Sequence, residues 1–211
     1  MMGGSSEIET NRSSDRRRFL RYAILALPFI FSIRPARAVE RVGSVEDIAG
    51  VAFAELQLVR RTLSQAAPVF LNEEVMTGLG SRLGMRLGAH TTVRLGEQAR
   101  LKIDRFVVDA GGEITLSSGP LLFDGPAHHA AIQVRSPFAL IAVRDTRFFA
   151  GPSNDRFGVF VERGTVAVTA AGQRVILHQG DGTDIASPGA PPTPVKRWGA
   201  ERIRAALASV S

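Results

Sequence analysis

The sequence predicts an all-β domain of many short strands, arranged as a solenoid-like roll or sandwich, with a C-terminal amphipathic helix. Three observations lead there. Apolar and polar residues alternate through the middle of the chain, as in Thr92-Val93-Arg94-Leu95-Gly96, in 99–104 and in Glu113-Ile114-Thr115-Leu116-Ser117. A period of two puts one residue set on a buried face and the other in solvent. Glycine punctuates these runs at Gly78, Gly80, Gly88, Gly96, Gly111, Gly112, Gly119 and Gly125, a spacing of about 8–12 residues that suits short strands joined by turns. Beyond a proline-rich stretch, apolar residues recur at Trp198, Ile203, Ala206, Leu207 and Val210, the three-to-four spacing of a helix with one apolar face.

The elements follow in order. The chain opens with a polar segment, then Asp15-Arg16-Arg17-Arg18-Phe19-Leu20-Arg21, an apolar run from Tyr22 to Ile33 broken by Pro28, and Ala36-Arg37-Ala38. A positive stretch, a short apolar stretch and small residues at a cleavage point make a secretory signal. The run is too short to span a bilayer core as a helix, which takes about 20 residues, so a basic arm with a membrane anchor is the weaker reading. Arg16, Arg17, Phe19 and Leu20 carry a resemblance to the twin-arginine signal family, and Ala36 and Ala38 flank the expected cleavage. The resemblance implies export of an already folded protein, and a periplasmic location.

Cleavage after Ala38 leaves 173 residues, enough for one domain with a sizeable core. It also removes seven arginines and three acids, so the formal net charge falls from +6 to +2. The remaining chain has no run of basic residues, which argues against nucleic acid as a partner. There is no cysteine. Neither a disulfide framework nor a thiolate metal site is possible, and the core alone must hold the domain.

Within that domain, 39–186, the stretch Arg41-Val42-Gly43-Ser44-Val45 and the residues Ala52, Leu56 and Val59 suit strand or short helix. Strands are expected at 82–87, 92–96, 99–104, 113–117, 132–134, 138–143, 157–162, 165–169 and 175–178, with Ala170-Ala171-Gly172-Gln173 as a tight turn. Arg82-Leu83-Gly84, Arg86-Leu87-Gly88 and Arg94-Leu95-Gly96 echo one another and suggest stacked β-coils, each with an outward arginine and an inward leucine. Prolines in 187–197 mark a connector, because proline removes a ladder donor. The helix is placed at 198–211, with Trp198 pinning it to the β body.

With the strands laid out, Ser136-Pro137-Phe138-Ala139-Leu140-Ile141-Ala142-Val143-Arg144-Asp145-Thr146-Arg147-Phe148-Phe149 resembles the core signature of the FecR domain family, Ser/Thr-Pro, an apolar strand, then Val-Arg-Gly-Thr-x-Phe. The run from Val159 through Arg163-Gly164-Thr165 to Val168 resembles the strand–Gly–strand hairpin that follows it. Glu74-Val75-Met76-Thr77-Gly78 resembles an approach strand, and Leu177-His178-Gln179-Gly180-Asp181-Gly182 the closing turn. The likeness runs over about 69–185. It departs at Asp145, where the family has glycine; aspartate is one of the few other residues that tolerates a left-handed backbone. The family's best-known members are membrane-anchored regulators that hold a sigma factor inside and read an outer-membrane receptor outside. A chain with a cleaved leader and no span is expected to keep the periplasmic module without that mechanism.

Candidate chemistry is sparse. Gly78-Leu79-Gly80-Ser81 lacks the spacing and the following helix of a phosphate loop, and reads as a corner between strands. His128 and His129 are adjacent, so on a strand they face opposite ways and suit one metal ion poorly. Asp181-Gly182-Thr183-Asp184 and Asn154-Asp155 offer oxygen ligands without calcium-loop spacing, and read as turns. Asp104, Asp109, Glu113 and Asp124 are the carboxylates from which a glycosidase pair would have to come. Arg144, Asp145 and Thr146 form the best-motivated set, as a structural turn closed by an arginine or as a binding site. No cofactor or metal is implied. The favoured reading is a non-enzymatic periplasmic module that binds an envelope protein or a cell-wall polymer, with no membrane span after cleavage. The alternatives are an exported hydrolase acting on envelope carbohydrate and a sensor component of an iron-responsive signalling system.

Overall fold

A computed structural model describes residues 39–107, 111–125 and 132–211. Arg16, Arg17, Phe19, Leu20, Ala36, Ala38, Asp109, His128 and His129 lie outside the described residues. Sixteen strands and one helix follow in chain order: β1 (Arg41–Ala49), β2 (Ala52–Leu56), β3 (Val59–Thr62), β4 (Pro68–Phe70), β5 (Glu74–Thr77), β6 (Arg82–Leu87), β7 (Thr91–Leu95), β8 (Arg100–Val107), β9 (Gly111–Ser118), β10 (Leu121–Asp124), β11 (Ile132–Arg135), β12 (Leu140–Ser153), β13 (Arg156–Ala170), β14 (Gln173–His178), β15 (Asp181–Ile185), β16 (Lys196–Arg197) and α1 (Ala200–Ala208). Among the described residues no helix is long and apolar enough to cross a membrane.

Pairing runs β3-β2-β5-β8-β9-β11-β12-β10-β7-β6-β1-β4, with β13 added to β12, and β14 and β15 added to β13. The sheet does not close into a barrel. It rolls over instead, because alternation leaves one apolar face on most of the strands. Leu101, Ile103, Ile114 and Leu116 from β8 and β9 meet Leu83, Met85, Val93, Leu95 and Phe123 from β6, β7 and β10 in one continuous core. The all-β roll anticipated from periodicity is therefore the fold, and the ambiguous start of the domain is strand.

The three Arg-Leu-Gly triplets have a different geometry from the stacked coils they suggested. Leu83, Leu87 and Leu95 do point inward, but β6 and β7 are an antiparallel hairpin in which Leu83 pairs with Leu95. The echo reflects two strands facing the same core, not successive coils. A second difference is larger. The two strands expected at 157–162 and 165–169 are one strand, β13, of 15 residues, and β12 is 14 residues long. Gly164 bends the chain there without reversing it.

The bend is shared by β12 and β13. The first half of β12 pairs with β11 and its second half with β10. The first half of β13 pairs with β15 and its second half with β14. At the changeover Asp145 and Thr146 stand opposite the single residue Gly164, a bulge of the kind that kinks and twists a strand. Asp145 has φ 57°, and Gly164 and Gly180 each have φ 86°. The β12–β13 ribbon thus crosses from one leaf of the roll to the other at one corner.

Candidate functional site

Three places on this frame could act: the corner, the tip of the long hairpin, and the helix on its outer face.

At the corner, Asp145 is exposed and holds the left-handed backbone that the family pattern assigns to glycine. A Cβ on Gly164 would overlap the Asp145 carbonyl oxygen. Thr146 is fully buried, and its Oγ1 has no hydrogen-bond partner among the described residues. Its carbonyl accepts from the N–H of Gly125 at 3.0 Å. Arg144 pairs by backbone with Thr165; its side chain lies outside the described residues. Next to the bulge, Arg147 and Arg163 face each other across the ribbon. Two like charges directly opposite are unfavourable, and acids offset them. Arg147 donates to Glu162 at 2.6 Å and to Asp124 at 2.9 Å, and Arg163 donates to Asp124 at 2.8 Å. Burial opposes charge on Arg147, but hydrogen bonds and charges from Glu162 and Asp124 outweigh it and raise its pKa above the ordinary arginine value. The motif of Arg144, Asp145 and Thr146 is geometrically a strand corner framed by ion pairs.

Of the carboxylates considered for glycoside chemistry, each described one is engaged by its own partner. Asp104 accepts from Thr115 at 2.6 Å and pairs with Lys102 at 2.7 Å. Glu113 pairs with Arg135, and Asp124 belongs to the corner network. The Gly78–Ser81 segment is a corner between β5 and β6, where buried Ser81 accepts from Val51 N–H and donates to the Leu79 carbonyl. Asp181 accepts from His178 N–H at 3.0 Å, across the turn between β14 and β15. Asn154 and Asp155, with φ 53° and 59°, form the tight turn of the β12–β13 hairpin. Among the described residues no three metal-ligating side chains gather.

That hairpin tip shapes a groove of about 320 Å³, walled by Leu116, Pro137, Phe138, Pro152, Phe157 and Ala186, with Asp155 and Arg156 beside it. Phe138 and Phe157 stack at 4.7 Å with their planes 5° apart. Ser136 sets this wall: its Oγ accepts from the N–H groups of Phe138 and Ala139 at 3.2 and 3.0 Å, which fixes the turn that projects Pro137 and Phe138. The Ser-Pro-Phe start of the motif therefore builds a groove. Sequence reasoning placed those residues in a signature but could not bring Leu116 and Phe157 to them.

On the outer face, α1 is held by Trp198, as its lone aromatic position suggested, although the helix spans only Ala200–Ala208. Trp198 stacks on Phe160 at 5.3 Å and meets Phe149 at 6.3 Å. Gly158 and Gly182 floor the indole; a Cβ at either would collide with it. The Arg202 guanidinium lies 3.6 Å over the ring and donates to buried Asp184 at 2.5 and 3.2 Å. Arg202→Met should lower stability by about 2–3 kcal/mol, because it strands a buried carboxylate that keeps only Lys196, at 3.6 Å. Urea denaturation of the two proteins measures this; a change under about 1 kcal/mol would remove Asp184 and Arg202 from the structural account.

Comparison with known proteins agrees with this architecture. Residues 73–167 match the family model described as FecR protein; they run from the residue before β5 into the second half of β13. No curated protein matches the sequence. Two crystal structures of a "putative anti-sigma factor" from Parabacteroides distasonis ATCC 8503, at 1.65 and 2.50 Å resolution, align with TM-scores of 0.55 and 16% identity. Each alignment covers 64% of this chain, and 64% and 63% of the respective crystallised chains, so the match spans just under two thirds of their length. At that identity the likeness is one of fold. Residues 73–167, the β5–β13 body with its Ser-Pro strand, bulged corner and long hairpin, are thus a FecR domain.

Proposed function

We propose that this chain is a non-enzymatic interaction module of a signalling system and that its partner is a protein. The observation that carries the reading is the FecR family match over residues 73–167. The fold shared with the Parabacteroides anti-sigma factor supports it. Both favour the sensor alternative over the reading that sequence alone preferred, a module binding an envelope protein or glycan. The groove points the same way. Leu116, Phe138, Phe157 and the prolines offer an apolar protein side chain more than they offer the hydroxyls of a sugar. The acids weighed for hydrolysis and described here are spread over the strand faces and held by cations.

The arginine-led leader supports export by the twin-arginine route, with the β domain working in the periplasm. An iron-responsive circuit is the form of signalling the family resemblance implies. The test is site-specific photo-crosslinking in cells, with the reactive side chain at position 138, under iron-replete and iron-limited growth. The expected product joins this chain to a regulatory or receptor protein and changes with iron. Crosslinks to glycan alone, or cleavage of purified cell-wall polymer by the protein, would overturn the reading.

A further inference from the structure

We propose that β14 is an open docking edge that takes up an extended, acidic segment of a protein partner as an added strand; this rests on the protein-binding reading above.

The turn before β14 sets which of its backbone groups face outward. Ala171 and Gly172, with φ 47° and 74°, join the paired residues Ala170 and Gln173, a two-residue turn of the primed type that matches strand twist. The pair flanking such a turn exchanges both backbone hydrogen bonds, and bonded pairs recur at every second residue. Val168 with Val175 and Val166 with Leu177 are then bonded pairs. The N–H and C=O groups of Arg174, Ile176 and His178 therefore point away from β13. The structure agrees: the His178 N–H is met from outside by Asp181. Among the described residues no strand or backbone donor lies beyond Arg174 and Ile176.

The other edges are guarded in the ways that natural sheets use. β4 has three residues and begins with Pro68. β3 carries Arg60, which lies over Phe53, and Arg61, which binds Glu73 and the Pro68 carbonyl. β15 is covered by β16 and by Thr193, whose N–H and hydroxyl engage the Asp184 backbone. Among the described residues, β14 leaves the outward backbone groups of Arg174 and Ile176 bare. Beside it, Ala142, Ala167 and Ile176 stand in register across three strands, and Ile176 is 40% exposed. This short apolar row runs out to the edge and stops.

Charge selects the occupant. Arg174 and His178 flank Ile176 on the same face; the facing β13 side chains Thr165, Ala167 and Thr169 carry no acid, and the acid at this edge, Asp181, sits at the His178 end beside Arg197. In an antiparallel pair of two copies centred on Ile176, Arg174 of each would oppose His178 of the other and meet no acid on that strand. A partner strand with an apolar residue between two acids meets all three side chains and supplies the missing backbone bonds.

The experiment uses the full chain and the blocked peptide Thr-Glu-Thr-Val-Thr-Glu-Thr, followed by amide hydrogen exchange. The peptide should slow exchange at Arg174 and Ile176 by about tenfold or more. Added salt should weaken the effect, and lysine in place of both glutamates should abolish it. Ile176→Pro removes an N–H that faces outward, so it should melt like the wild type yet show no peptide-dependent protection at Arg174. Val175→Pro removes a bond to Val168 and should lower the melting temperature. The proposal falls if the lysine peptide protects equally, if Ile176→Pro destabilises as Val175→Pro does, or if Arg174 and Ile176 are already protected in the free chain. Protection at β3 or at the Phe138 groove instead would overturn the edge assignment and leave the protein-binding reading standing.

Discussion

Replacing Trp198 with alanine is expected to lower the stability of the protein by about 3–5 kcal/mol and to release α1. The indole is 6% exposed and is the centre of the outer cluster with Leu122, Phe149, Phe160, Ala206 and Val210. A helix of nine residues with no side-chain cap at Gly199 is too short to persist alone in water, so its order comes from this contact. Trp198→Phe should keep most of the stability. The indole Nε1 has no hydrogen-bond partner among the described residues, so phenylalanine forfeits area but no bond. Urea denaturation followed by circular dichroism, with hydrogen exchange over 200–208, separates the outcomes. An alanine variant within about 1 kcal/mol of wild type would show that the helix is not anchored here.

Gly164→Ala should cost about 3 kcal/mol, the sum of an unfavourable φ and a backbone overlap. The Cβ would run into the Asp145 carbonyl, and a carbonyl held in a bulge cannot swing away as a side-chain tip could. Asp145→Gly should stay within about 1 kcal/mol of wild type, since the side chain is exposed and the backbone already left-handed. The contrast tests the corner itself: the two residues face each other, yet only one position rejects a side chain. Equal effects in thermal melts would mean that the bulge adapts.

Much of the fold was legible because alternation is a local signal. Thr92 to Leu95, Arg100 to Asp104 and Glu113 to Ser117 each carry the period within a handful of residues, and each is a strand. Leu121-Leu122-Phe123 was passed over, since β10 is covered on both faces: Leu121 and Phe123 face the main core and Leu122 faces α1. A strand buried on both sides shows no alternation. In sequence Gly164 reads as a hairpin reversal and Gly180 as a plain turn. A left-handed glycine looks the same in sequence whether the chain turns back or bends and continues. The motif residues Arg144, Asp145 and Thr146 were legible as a turn, while the groove at Phe138 and the edge at β14 were not. The groove needs Leu116 beside Phe157, and the edge needs knowledge of which strand has no neighbour.

Composition and period thus determined the class of fold, the inward residues and the helix with its tryptophan anchor, because burial of every second residue is written within each strand. Which strands pair, that β12 and β13 bend at one level, and that β14 is left with a bare edge were decided by tertiary structure. Those features depend on contacts between residues far apart in the chain, such as Asp124 with Arg163 and Gly182 with Trp198, and no local pattern encodes them.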